Sequence, residues 1–232
     1  MLTGYRCWVS STGDSLNSSS GNSSPGNSQY FEADPTAEST PRTIELVLPD
    51  VFLTLDTDSG VFSNRKVDSG SRYLLQEHPP ISDERANILD VGCGYGPITL
   101  AAAKRAPQAT VWGLDVNARA IDLARRNAET NDIANAQFGT ADDVPSELRF
   151  DVILSNPPIR IGKPALHALL TTWLDRLTPD GVAWMVVQKH LGSDSLAEWL
   201  TAEGWVTTRL GSRKGFRILE TRARNRHAKE RL

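Results

Sequence analysis

Asn87-Ile88-Leu89-Asp90-Val91-Gly92-Cys93-Gly94-Tyr95-Gly96-Pro97 decides how the rest of this chain is read. Ile88 to Val91 is a short apolar run of the kind that forms a buried strand, and it leads straight into three alternating glycines. Glycines at a strand end let the backbone approach a ligand closely and take torsions closed to other residues. Ile98 to Arg105 then reads as a helix, Ala109 to Leu114 as a second strand and Ala118 to Glu129 as a second helix. Asp115 ends that second strand, where a carboxylate can accept both hydroxyls of a ribose. Ligands in open parallel sheets bind beyond the carboxyl ends of the strands. The pattern predicts a site for a nucleoside-bearing cofactor.

Outward from this core the alternation continues. Gln137-Phe138, Asp151 to Leu154 and Val182 to Val187 read as strands, and Leu166 to Leu177 and Leu196 to Glu203 as helices. Trp205 to Leu210 and Phe216 to Thr221 are two strands joined by a hairpin over Gly211 to Gly215, so the last strand is expected to run antiparallel. Strands and helices in alternation imply a mostly parallel sheet covered on both faces, an α/β fold. Before the array, Thr43 to Leu48 and Val51 to Leu55 read as a β-hairpin about Pro49-Asp50, and Asp68 to Gln76 as a short helix ended by His78-Pro79-Pro80.

The kind of cofactor follows from charge. A dinucleotide site holds a pyrophosphate on a helix N-terminus, and Asp90 immediately before the turn opposes such an anion. The same charge suits a cofactor that ends in a cationic amino acid and a sulfonium. Gly96-Pro97 also departs from the third-glycine spacing of the dinucleotide fingerprint. Asp90-x-Gly92-x-Gly94-x-Gly96 with Asp115 downstream resembles the first motifs of the class I methyltransferases. That resemblance implies a Rossmann-like sheet and S-adenosyl-L-methionine bound by Asp90, Gly92, Gly94, Gly96 and Asp115. It also implies that Asp142, with Asp143 as its rival, receives the adenine amino group.

Asp151 to Ser155 delivers Asn156-Pro157-Pro158-Ile159 to the same sheet edge as the glycine loop. Two prolines remove two backbone donors and stiffen the turn, so an Asn side chain and a rigid carbonyl of Pro157 present acceptors to one point. An exocyclic amine conjugated to a ring or carbonyl is a weak nucleophile. Two acceptors on its hydrogens favour the pyramidal form and stabilise the charge that develops as a methyl arrives. Asn156 and Pro157 are therefore the candidate catalytic residues, with Asn156 also beside the cofactor. The tetrapeptide resembles that of the amino-methyltransferases acting on adenine N6, guanine N2 or glutamine nitrogen.

Its continuation, Arg160-Ile161-Gly162-Lys163, resembles the small methyltransferase domain family typified by bacterial small-subunit rRNA guanine-N2 methyltransferases. Gln29-Tyr30-Phe31, Thr57 to Ser63 and Lys66-Val67-Asp68-x-Gly70-Ser71-Arg72 carry the resemblance to the N-terminal side, so that it spans about Gln29 to Arg222. It implies an RNA partner, rRNA or a ribosomal subunit, with Pro158, Ile159, Arg160 and Lys163 toward the substrate. Ile159 stands where many relatives have an aromatic residue that stacks on the flipped base. Phe62 is the candidate to stack instead, against the alternative of a core Phe on a short strand. The larger rRNA enzymes also carry a duplicated N-terminal domain, of which only the hairpin is expected here.

The 232 residues suit one domain with appendages, 39% hydrophobic and 23% charged. A net charge of -3 excludes binding of nucleic acid by bulk charge, so RNA contacts fall to local cations such as Arg160, Lys163, Arg213 and Lys214. Cys7 and Cys93 have neither disulfide nor zinc spacing, no metal site is expected, and no membrane span is legible. A cytoplasmic enzyme is expected. The expected divisions are a disordered Ser/Asn/Gly-rich tail over residues 1–28, an N-terminal extension over 29–80, the methyltransferase domain over 81–224 and a basic tail over 225–232. Competing functions are methylation of a protein glutamine or a small-molecule amine, and an inactive cofactor fold that binds RNA.

Overall fold

The computed structural model describes residues 37–81 and 86–224. The expected disordered tail, Cys7, Gln29 to Phe31 and the basic tail from residue 225 lie outside these. The hairpin is β1 (Arg42–Val47) and β2 (Phe52–Thr57), followed by α1 (Ser69–Glu77). The alternating array is β3 (Asn87–Val91), α2 (Pro97–Arg105), β4 (Thr110–Leu114), α3 (Ala118–Thr130), β5 (Ala136–Gly139) and β6 (Phe150–Ser155). It continues with α4 (Lys163–Leu174), β7 (Leu177–Gln188), α5 (Ser193–Ala202), β8 (Val206–Arg213) and β9 (Phe216–Arg222).

The seven strands β3 to β9 form one sheet in the order β5-β4-β3-β6-β7-β9-β8. β9 is antiparallel to both neighbours, and β3 to β7 pair in parallel. This is the expected mostly parallel sheet with its last strand reversed. The order runs outward from β3 to β5 and then resumes on the other side at β6. The β3–β6 junction is therefore the switch point, where a crevice opens at the strand ends. The register Val91↔Ser155 sets the glycine loop beside Asn156, and the Ser155 hydroxyl locks the two strand ends by donating to the Val91 carbonyl at 2.7 Å.

The strands are apolar on both faces because both are covered. Ile88, Val111 and Leu154 point to one core, shared with α1, α2, α3 and the hairpin residues Leu46, Leu53 and Leu55. Leu89, Ile153 and Met185 point to the other, under α4 and α5. The hairpin is also tied by hydrogen bonds to α3, where Asn127 and Asn131 stand one turn apart. Asn127 accepts from Asp56 N (2.7 Å) and donates to Asp56 O (2.9 Å); Asn131 does the same for Thr54 (3.0 and 2.7 Å). Two side chains thus satisfy the edge of β2 as a third strand would.

Several elements differ from the expected bounds, α4 and β7 among them. α4 begins and ends three residues earlier than expected, at Lys163 and Leu174, with a proline in its first turn, where the missing N–H costs nothing. β7 takes in Thr178-Pro179-Asp180-Gly181, which reads as a turn, and its ladder with β6 shifts register between Phe150 and Val152. Phe62 lies in a turn and is 46% exposed, so the alternative of a core Phe on a strand is corrected.

Candidate active site

A cavity of about 1010 Å³ opens along the carboxyl ends of β3, β4, β6 and β7. Pockets that hold drug-sized ligands run to roughly 300–1,000 Å³, so this one has room for a nucleoside cofactor and part of a second reactant. One wall is the glycine loop. Gly92 N and Cys93 N both donate to the Leu114 carbonyl, at 2.8 and 2.9 Å, which folds the loop over the end of β4. Gly94 N then donates to Asp115 Oδ2 at 2.8 Å, and Asn117 N donates to Oδ1 at 3.0 Å. Burial raises the Asp115 pKa above the ordinary carboxylate value, while N–H groups of Asn117, Gly94 and Val116 pull it down. Gly94 sits at φ +55°, with no atom within 4 Å of where a Cβ would be. Backbone, carboxylate and open space form a cradle into which a ribose-bearing ligand fits.

The opposite wall comes from β6 and the segment before α1. Asn156 Nδ2 donates to Asp68 Oδ2 at 2.9 Å and to Ser71 Oγ at 3.1 Å. Both partners take up the amide nitrogen, so the network assigns the nitrogen to their side and leaves Oδ1 for the cavity. Pro158, at φ -75° and ψ 70°, centres an inverse γ-turn in which Ile159 N donates to Pro157 O at 2.8 Å. That bond aims the Pro157 carbonyl and uses one of its two lone pairs. The expected rigid carbonyl is therefore present, and it is shared.

Asn156, Pro157, Pro158, Ile159, Arg160, Phe62, Gly92, Gly94 and Asp115 all line the cavity. Four expected site residues do not, each for a local reason. Asp90 is 0% exposed and turns under the loop, where Oδ2 accepts from Thr99 N (3.0 Å) and Thr99 Oγ1 (2.6 Å). Its Oδ1 has no partner among the described residues, and burial pushes its pKa up to about 7. It props the loop against α2. Gly96 is the N-cap of α2 and packs on Leu100 and Ala124. At Asp142 the chain makes a single 3₁₀ turn closed by Thr140 and Asp143, whose carboxylate accepts from Thr140 N at 2.7 Å. That turn gives Ala141 to the cavity and leaves Asp142 exposed. Lys163, also exposed, begins α4 outside the lining.

Sequence reasoning missed Asp68, Ser71 and Asn117. Asn117 caps α3 by accepting from Ala120 N (3.1 Å) and reaches back to Gly60 O (2.8 Å), tying the turn before Phe62 to the cofactor wall. Its N-cap position was a usable signal; Asp68 is likewise the N-cap of α1, but its stretch reads only as a helix start and a family resemblance. Cys93 lines the cavity, but burial first, then Asp115 and Asp90, push its thiol pKa well up. It stays protonated and is no nucleophile.

The doubly wound sheet, the glycine loop after its first strand, the carboxylate ending the second and the reversed β9 define a class I S-adenosylmethionine-dependent methyltransferase. The small methyltransferase domain model matches residues 52–220, and the chain belongs to that family. It is 37% identical over 198 residues to uncharacterized protein YbxB of Bacillus subtilis (strain 168), covering 83% of this chain and 97% of that one. It is 32% identical over 176 residues to ribosomal RNA small subunit methyltransferase C of Escherichia coli O1:K1 / APEC, covering 73% of this chain and 50% of that one. Among solved structures, a 16S rRNA N2 methyltransferase of T. thermophilus in complex with AdoMet and guanosine superposes with TM-score 0.70 at 27% identity. That match covers 82% of this chain and 52% of the other. The chain thus spans about half the length of its ribosomal RNA methyltransferase relatives.

Proposed function

We propose that this methyltransferase modifies the exocyclic N2 amine of guanine in ribosomal RNA. One observation carries the reading: Asn156 and Pro157 line the cavity with Asn156 held by its nitrogen, which leaves Asn156 Oδ1 and one lone pair of the Pro157 carbonyl as acceptors for an amine. Bound S-adenosylmethionine supplies an electrophilic methyl group on a sulfonium. Asp115 accepts the ribose hydroxyls, and the loop at Gly94 lets the cofactor lie against backbone. Asn156 and Pro157 hold the two amine hydrogens, draw the lone pair out of conjugation and stabilise the positive charge that grows on nitrogen. Phe62 offers a face on which an extruded base stacks.

An RNA rather than a peptide acceptor is supported by the cavity rim. Arg65, Lys66 and Arg160 line it, and no ion pair engages any of them among the described residues. Cations without carboxylate partners beside a base-sized pocket suit a phosphate backbone. A ribosomal substrate places the enzyme in the cytoplasm. Among the described residues no helix is long and apolar enough to cross a membrane, and no group of three or more His, Cys, Asp or Glu side chains gathers that could hold a metal. The test is transfer of radiolabel from methyl-labelled cofactor to small ribosomal subunits from a strain deleted for this gene. Label in the RNA fraction is expected. Label only on a ribosomal or translation-factor protein would move the enzyme to glutamine methylation.

A further inference from the structure

We propose that Asp68 and Ser71 are positioning residues for methyl transfer, fixing which end of the Asn156 amide meets the acceptor amine. The proposal rests on the reading of Asn156 as an acceptor group, and it adds what makes that group an acceptor. An amide has an oxygen and a nitrogen of nearly the same shape, and a half-turn about its last bond exchanges them. With its oxygen toward the cavity, Asn156 receives the hydrogens of an amine. Turned over, it presents its own hydrogens to those of the substrate and opposes the reaction.

Asp68 decides between the two. Its Oδ2 lies 2.9 Å from Asn156 Nδ2, and an ionised carboxylate only accepts. A turned amide would set oxygen against oxygen at that distance. Ser71 Oγ, 3.1 Å from the same nitrogen, takes up its second hydrogen. The carboxylate does more than orient: a hydrogen bond to a charged acceptor polarises the amide and increases the negative charge on the far oxygen.

The clamp is itself held. The same Oδ2 caps α1, accepting from Gly70 N at 2.7 Å and Ser71 N at 3.1 Å. α1 in turn buries Tyr73, Leu74 and Leu75 in the core. Asp68 therefore cannot follow Asn156 if the latter turns. The segment before the glycine loop, 88 residues away in sequence from Asn156, completes the active site.

The test compares Asp68→Ser, Asp68→Asn, Ser71→Ala and Asn156→Ala in the full chain. Its readouts are kcat and KM on undermodified small ribosomal subunits, cofactor Kd by calorimetry, and the side-chain amide signal of Asn156 in a ¹H–¹⁵N spectrum. Asp68→Ser keeps a good capping oxygen but shortens the reach to Asn156. Its kcat is expected to fall about a hundredfold, the scale of a misplaced catalytic group, with cofactor Kd unchanged and the Asn156 signal shifted. Asp68→Asn keeps an acceptor oxygen without the charge and should recover to within about tenfold of wild type. Ser71→Ala leaves the cap intact, because only the Ser71 backbone serves it, and should lose roughly fivefold in kcat. If Asp68→Ser unfolds, Ser71→Ala and the amide signal decide alone.

Wild-type kcat and an unmoved amide signal in Asp68→Ser, beside an inactive Asn156→Ala, would overturn the clamp and leave the reading of Asn156 standing. Normal turnover in Asn156→Ala would instead remove that reading, and the clamp with it.

Discussion

On the proposed reading Asp115 and Asn156 divide the work of the site, and single substitutions should separate their shares. Asn156→Ala removes one acceptor that matters most as charge develops, so kcat should fall by about a hundredfold or more while calorimetric cofactor affinity stays near normal. Asp115→Ala should weaken cofactor binding by about 1.5–3 kcal/mol, the worth of hydrogen bonds to a charged group. Equal loss of cofactor affinity in both variants would show the roles to be misassigned. Asp90 makes a different forecast. Its folded pKa of about 7 lies above the ordinary value of 3.8, so the folded state holds this proton more tightly than the unfolded chain does. The stabilising share of the protonated group is complete below about pH 4 and is lost as pH rises to about 7. Urea unfolding of wild type and Asp90→Asn at pH 5 and 7.5 should show wild type losing ground to the variant at the higher pH, by up to a few kcal/mol. A constant difference would mean that Asp90 titrates normally. Asp115 and Asn156 were legible because each ends a strand whose pattern is plain. The burial of Asp90 was not legible, since an acid at the end of a strand before three glycines reads as facing the cofactor. Nor were Asp68 and Ser71, whose partner is brought to them only by the folded chain.

Two glycines of one loop do separate jobs. Gly96, at φ +95°, has Leu100 and Ala124 only 3.3 Å from the place of a Cβ. Gly96→Ala therefore adds crowding to a left-handed torsion that alone costs roughly 1–2 kcal/mol, and its unfolding midpoint should drop accordingly. Gly94 faces open cavity, so Gly94→Ala should keep more of its stability and lose cofactor affinity instead. The reverse ranking would mean that the cofactor lies elsewhere. The hairpin makes the next forecast. Asn127→Leu strips partners from both backbone groups of Asp56 and from the Tyr95 carbonyl, which Nδ2 reaches at 2.9 Å. A loss of at least about 2 kcal/mol in urea unfolding is expected; a neutral effect would show that the hairpin edge is satisfied by other means. Strand and helix order was legible from apolar periodicity and glycine placement. The start of β7 was not, because Pro179-Asp180-Gly181 carries turn chemistry that sheet pairing overrides. The α3 clamp escaped notice because buried asparagines on a helix look like ordinary polar positions until the strand edge they serve is beside them.

At the scale of the whole molecule, the fold gathers residues from both halves of the chain into one crevice. The switch between β3 and β6 brings the cofactor loop against the Asn156 turn. The hairpin and α1 share a core with β3 and α2, which allows Ser71 of α1 to reach Asn156, so residues 37–80 pack as one body with the sheet. Net charge is -3, yet Arg65, Lys66 and Arg160 all line the cavity, a local arrangement that composition conceals. The chemistry proposed for this crevice is transfer to an exocyclic amine. The most direct measurement is mass spectrometry of nucleosides from ribosomal RNA methylated by the purified enzyme. N2-methylguanosine is the predicted product; a methyl on a ring nitrogen or a ribose oxygen would contradict the role given to Asn156 and Pro157.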